Sequence, residues 1–135
     1  MKIALDVFGG DNAPLSNIKG AFAYLENCND SAAELILVGD EGQIKTHLDS
    51  LALDSSKITI VHTTEIVEMN ERSSRIFREK PDSSLVKSVQ LVKDGEAQAV
   101  LSAGNTGALL ASSLFIIGKI PGIRRPAFAP FIPTN

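Results

Sequence analysis

Apolar positions follow two alternating rhythms along this chain. Short runs that are apolar on both faces, at 3–8, 34–38, 57–62 and 97–101, predict buried strands; the third carries β-branched Ile58, Thr59, Ile60 and Val61 in a row. Between and after them, apolar residues recur three and four apart, predicting helices over 16–27, 41–51, 83–93 and 106–118. Leu85, Val86, Val89 and Val92 draw the stripe of the third helix, and Gly95 behind it is a stop signal. Ser16, after Pro14, is the expected cap of the first helix. A last strand is expected over 127–132, flanked or interrupted by Pro126, Pro130 and Pro133.

Strands buried on both faces and alternating with helices predict a three-layer α/β fold, a mostly parallel sheet with helices on both faces. Right-handed crossovers then bring the C-terminal ends of the strands, and the loops after them, to one edge. That edge collects Gly9-Gly10-Asp11-Asn12, Gly39-Asp40, His62 and the turn from Ser102 to Gly107. The segment 63–82 has little periodicity and several charges, and a loop of that length is expected to be functional or mobile. The chain reads as one α/β domain, 1–135, and with no closing helix after its last strand it reads as a piece of something longer.

Composition narrows the class. With 44% hydrophobic and 21% charged residues the chain is an ordinary soluble globular domain. A net charge of −3, no tryptophan and a single tyrosine argue against nucleic acid as a partner. Cys28 is the only cysteine, which excludes an internal disulfide and fits a cytoplasmic protein. Asp6 interrupts any export signal, and the longest apolar stretch, 108–117, is too short to span a bilayer.

Three constellations carry candidate chemistry. In Ser102-Ala103-Gly104-Asn105-Thr106-Gly107-Ala108 a strand, a small-residue turn and a helix follow one another, which presents free N–H groups and a helix dipole to an anion. Gly104 permits the turn, Asn105 or Thr106 caps the helix, and Gly107 allows close packing. The same pattern also describes a capped turn without a ligand. In the first loop, paired Gly9 and Gly10 allow backbone to approach a ligand, with Asp6, Asp11 and Asn12 supplying polar groups. The spacing is not G-x-G-x-x-G, so Asp40 is not read as a ribose-binding acid, and no Walker lysine follows the Ser102 turn. In Lys80-Pro81-Asp82-Ser83-Ser84 the plain role is a helix cap by Asp82 or Ser83; Lys80 beside two hydroxyls makes it a phosphate seat as well. His62 reads as a strand-end residue. Glu65, Glu68, Glu71, Arg72, Arg75 and Arg78 read as a mixed-charge face, or as a contact for an acidic partner.

Together these stretches resemble the PlsX family of bacterial phosphate acyltransferases. The resemblance rests on Asp6 to Pro14, Val38-Gly39-Asp40, Glu65-Ile66-Val67-Glu68-Met69, Lys80 to Ser84, Ser102 to Ala108 and Ile120-Pro121-Gly122-Ile123-Arg124-Arg125-Pro126-Ala127. It covers essentially the whole chain but only the N-terminal part of family members. Val7, Phe8 and Asn12 depart from the family's usual Ala, Met and His, and Pro81 stands where a basic residue is common. Asn12 keeps a hydrogen-bonding group but is no base at neutral pH.

The resemblance implies a Rossmann-like, phosphotransacetylase-like fold and transfer of a fatty acyl group from acyl-acyl carrier protein to inorganic phosphate, without cofactor or metal. It implies a homodimer in the full-length form, in the cytoplasm or peripheral to the membrane through the missing C-terminal part. With this chemistry in view, Asp11, Asn12 and Asn105 are the candidate catalytic residues. Gly9, Gly10, Lys80, Ser83, Ser84, Ser102, Gly104, Thr106 and Gly107 are the candidate phosphate-binding ones. The alternatives are a non-catalytic anion-binding fragment and a phosphotransacetylase-like enzyme using acyl-CoA.

Overall fold

The computed structural model describes residues 1–28, 32–52 and 55–127. Four strands form one sheet: β1 (Lys2–Asp6), β2 (Glu34–Gly39), β3 (Ile58–His62) and β4 (Ala99–Ser102). Their order is β3-β2-β1-β4 and every pairing is parallel, with Ala4 opposite Ile36 on one side and Val100 on the other. This is the Rossmann-like arrangement. The helices are α1 (Leu15–Asn27), α2 (Glu41–Leu51), α3 (Ile76–Glu79), α4 (Ser84–Lys93) and α5 (Thr106–Ser112).

Strand alternation sorts the core into two layers. Leu5, Val7, Leu35 and Leu37 face α1 and α2, packing on Ile18, Phe22, Ile44 and Leu48. Ala4, Ile36 and Val38 face the other way, onto Leu91 of α4. A third cluster, Val67, Ile76, Leu85, Val86 and Ala108, joins α5 and the long loop to α4. None of the described helices is long and apolar enough to cross a membrane.

The alternation predicted from the apolar runs is present, with three local corrections. Ser16 does not cap α1: Pro14 occupies that position without a side-chain bond, and the Ser16 hydroxyl instead donates to the Asn12 carbonyl at 2.7 Å. The helix expected over 106–118 is α-helical only to Ser112; Ser113–Ile117 is a π-helical turn, which Gly118 ends at φ 99°. The segment 63–82 is not featureless, for it holds a 3₁₀ turn (Ser73–Arg75) and α3. The strand expected over 127–132 lies outside the described residues except for Ala127, which is in no strand.

Candidate functional site

Between β1 and β4 the direction of winding reverses: β2 and β3 lie to one side of β1, and the chain then crosses back to place β4 on the other. In open α/β sheets the loops at such a switch point diverge and leave a crevice at the strand C-termini. Here the crevice is walled by the Gly9-Gly10 turn after β1 and the Ala103-Gly104 turn after β4. The two walls touch. A Cβ added to Gly9 would stand 2.5 Å from Asp6 Oδ2, 2.8 Å from the Gly104 nitrogen and 2.9 Å from Ser102 Oγ. Gly10, at φ +104°, has Ala103 O 3.0 Å from its Cβ position. Gly104 is needed for space rather than for a left-handed backbone: its Cβ would stand 3.0 Å from the Gly9 Cα.

Beneath the turns lies Asp6, 1% exposed. Burial pushes its pKa above the ordinary 3.8, against the hydrogen bonds from Ser84, Ser102, Phe8 and Gly9 that pull it down. Ser84 reaches Asp6 at 2.6 Å and Ser102 at 2.7 Å, so both hydroxyl protons are committed to the carboxylate. Asn17, which sequence reasoning passed over, braces the same turn, its Nδ2 donating to the carbonyls of Val7 and Gly9 at 2.8 Å each. An asparagine in the first turn of a helix that follows a glycine loop was the available signal.

Asn105 caps α5. Its Oδ1 accepts the Ala108 N–H at 3.0 Å, while Nδ2 lies 3.1 to 3.3 Å from the carbonyls of Glu68, Met69 and Glu71. Both amide protons therefore have acceptors in the long loop. Thr106 and Gly107, the exposed first residues of α5, keep N–H groups that helix geometry leaves without an intrahelical partner. Asp11 and Asn12 are exposed in the loop opposite.

The Lys80 constellation is turned to internal contacts. Ser83 is the cap of α4, its Oγ accepting the Val86 N–H at 3.4 Å and donating to the Lys80 carbonyl at 2.8 Å. Lys80 Nζ donates to the Ile66 carbonyl at 2.7 Å and pairs with Glu71. That bond holds the Glu71 carboxyl below its ordinary 4.5. A carboxyl lowered in the folded state adds stability that is full above the unfolded value and is lost as pH falls through the folded one. With both side chains partly exposed, we expect about 1 kcal/mol or less from the pair. Denaturation midpoints at pH values on either side of the carboxylate range should therefore converge between wild type and Lys80→Met as pH falls. A constant gap would remove the pair from the account.

Other candidates have structural partners. Asp40 caps α2, accepting from the Gln43 N–H at 2.7 Å, and His62 Nδ1 accepts the Glu41 N–H at 3.1 Å. Cys28 is a free thiol at the far end of α1. An apolar cavity of about 380 Å³ runs along the sheet beside α1, lined by Ile3, Leu5, Ala21, Tyr24 and Leu101 and reaching Ser102 and Ala103 at the crevice.

The chain is 48% identical over 134 residues to a phosphate acyltransferase of an Exiguobacterium species, covering 99% of this chain and 40% of that protein. It is 47% identical over 134 residues to the phosphate acyltransferase of Dictyoglomus turgidum, with 99% and 39% covered, and 45% identical over 134 residues to that of Clostridioides difficile, with 99% and 38% covered. The chain thus spans about 40% of the length of the curated relatives it matches. A family model described as fatty acid synthesis protein matches residues 1–135, and the chain belongs to that family.

Proposed function

We propose that this chain carries the phosphate-binding wall of an acyltransferase that moves a fatty acyl group from acyl-acyl carrier protein to inorganic phosphate. The observation that carries the reading is the contact of two glycine turns at the switch point, beside the open N–H groups of α5. Relatives named phosphate acyltransferase over the same residues support it. The apolar cavity that opens beside the crevice suits an acyl second substrate.

In this reading phosphate lies against the Thr106 and Gly107 N–H groups, with the Thr106 hydroxyl beside them. An oxygen of hydrogen phosphate attacks the thioester carbonyl carbon; the C–O bond forms, the C–S bond breaks, and the departing thiolate takes up the proton that the phosphate gives up, so the carrier leaves as its thiol. Phosphate is already a nucleophile, so the protein's work is to hold it in line and to meet the developing oxyanion with donors. The Gly10 to Asn12 loop faces that oxygen, with the Asn12 amide as its side-chain donor. Asn105, whose donors all have acceptors, shapes the seat instead of entering it. Gly9, Gly10 and Gly104 keep the floor free of side chains. Ser83, Ser84, Ser102 and Lys80 hold the surrounding loops, and Asp11 lies at the mouth.

The test is phosphate-dependent release of the carrier thiol from acyl-acyl carrier protein by the natural gene product. Release is expected, and the 135 residues alone should show none, because they supply only one wall of the pocket. Release with acyl-CoA but not with the carrier protein would make the enzyme phosphotransacetylase-like. Phosphate binding by the gene product without any release would leave an anion-binding module.

A further inference from the structure

Asp6 is the only ionisable side chain buried among the described residues, and the chemistry above gives it no part. Its surroundings consist of donors. Ser84 donates to Oδ1 and Ser102 to Oδ2, at 2.6 and 2.7 Å, and the Phe8 and Gly9 N–H groups of its own turn lie on the same side. Ser102 Oγ in turn accepts the Gly104 N–H at 3.1 Å. A hydroxyl donor on each carboxyl oxygen suits its ionised, acceptor-only form. The carboxylate thus joins its own glycine turn to the start of α4, 78 residues on, and to the end of β4, 96 residues on.

We propose that Asp6 is a positioning residue for the anion seat: packed against Gly9 and tied to Gly104 through Ser102, it fixes the separation of the two turns that close on phosphate. The proposal rests on the anion-seat reading above. The chemistry of the grip is specific to a carboxylate. Asparagine has the same shape, but its NH₂ would face donors and leave at least one of them unpaired. The grip also explains the bare floor of the crevice, since Asp6 Oδ2, Ser102 Oγ and the Gly104 nitrogen together fill the space a Gly9 side chain would need. Displacing a seat by about 1 Å can cost on the order of a hundredfold in rate, so such a brace acts on function without touching substrate.

The test uses ¹⁵N-labelled protein, titrated with inorganic phosphate and followed by amide hydrogen exchange. Asp6→Asn is compared with wild type and with Ile18→Val, a core change on the α1 face that lowers global stability without touching the turns. Asp6→Asn is expected to keep the amide dispersion of the sheet. Exchange at Gly9 and Gly104 should quicken at least tenfold relative to Leu37 and Val38, and phosphate affinity should fall at least tenfold. Ile18→Val should bind phosphate as wild type does. A folded Asp6→Asn protein with unchanged phosphate affinity, or with exchange no faster at the two turns than in the sheet, overturns the proposal. Should Asp6→Asn not fold, Ser102→Ala removes only the arm to Gly104, and unchanged affinity there overturns it equally. If wild type shows no phosphate response while Asp6→Asn still loosens both turns, the brace stands and the anion-seat reading fails.

Discussion

Gly9→Ala should destabilise the chain by about 1–3 kcal/mol and abolish its thermal response to phosphate. One methyl group suffices because the space it would occupy is taken. Asp6 Oδ2, the Gly104 nitrogen and Ser102 Oγ all lie within 2.9 Å of the ideal Cβ position, and Ser102 Oγ links the three by hydrogen bonds. The Gly104 nitrogen is backbone, so relief requires the β4 turn itself to move away from the β1 turn. The same chemical change at Gly20, in the interior of α1 with nothing within 4 Å of its Cβ position, should instead stabilise by roughly 0.5–1 kcal/mol. Urea midpoints of the two variants, with thermal shifts in millimolar phosphate, check both signs. A Gly9→Ala protein with the wild-type midpoint and an intact phosphate shift would show that the turns yield freely and do not form a built floor.

Asn105→Ala should cost about 1 kcal/mol for the lost cap and on the order of 1–3 kcal/mol more for the partners it leaves behind. Its amide is the tie between α5 and the loop, with the carbonyls of Glu68, Met69 and Glu71 gathered on one nitrogen. Once it is removed, the loop keeps Lys80–Glu71 and the Thr64–Asp82 contacts but loses its hold on the helix start. Limited proteolysis should then cut first between Glu65 and Arg78, at least tenfold faster than in wild type. Aspartate in place of asparagine separates the two roles, because it caps α5 equally well but offers no donor to the carbonyls. It should recover the cap and leave the loop open. Equal proteolysis in all three proteins would dismiss the tie.

The layers were legible because they follow from periodicity. A strand buried on both faces shows as an unbroken apolar run, and a helix packed on one side shows as a stripe, so β1 to β4 and α1, α2 and α4 could be read from residue order. The edge that gathers the turns follows from crossover handedness alone. The roles inside the crevice were not legible. Ser84 and Lys80 belong to one five-residue motif, yet Ser84 meets Asp6 while Lys80 meets Glu71. Those partners are set by rotamers and by the packing of α4, and neither leaves a mark on spacing. The loop over 63–82 hid its order for a similar reason: side-chain amides and carboxylates meeting backbone groups hold much of it, and such bonds have no period. Gly104 was read as permitting a tight turn, and the structure adds a reason spacing could not show: its Cβ position lies 3.0 Å from the Gly9 Cα.

β1 sits between β2 and β4, so the earliest of these four strands to be made waits longest for its second neighbour, with Ile3 pairing to Ala99. Before that, β1, β2 and β3 can already pair through nearer contacts, with α1 and α2 covering one side. Closing the later contact joins residues 96 apart in sequence, and loop-closure entropy places such contacts late on the folding path. Every element of the crevice depends on that closure. Three strands, β1 with one glycine turn among them, can therefore form first as a template during synthesis, and the candidate site comes into being only when β4 brings the second turn against it.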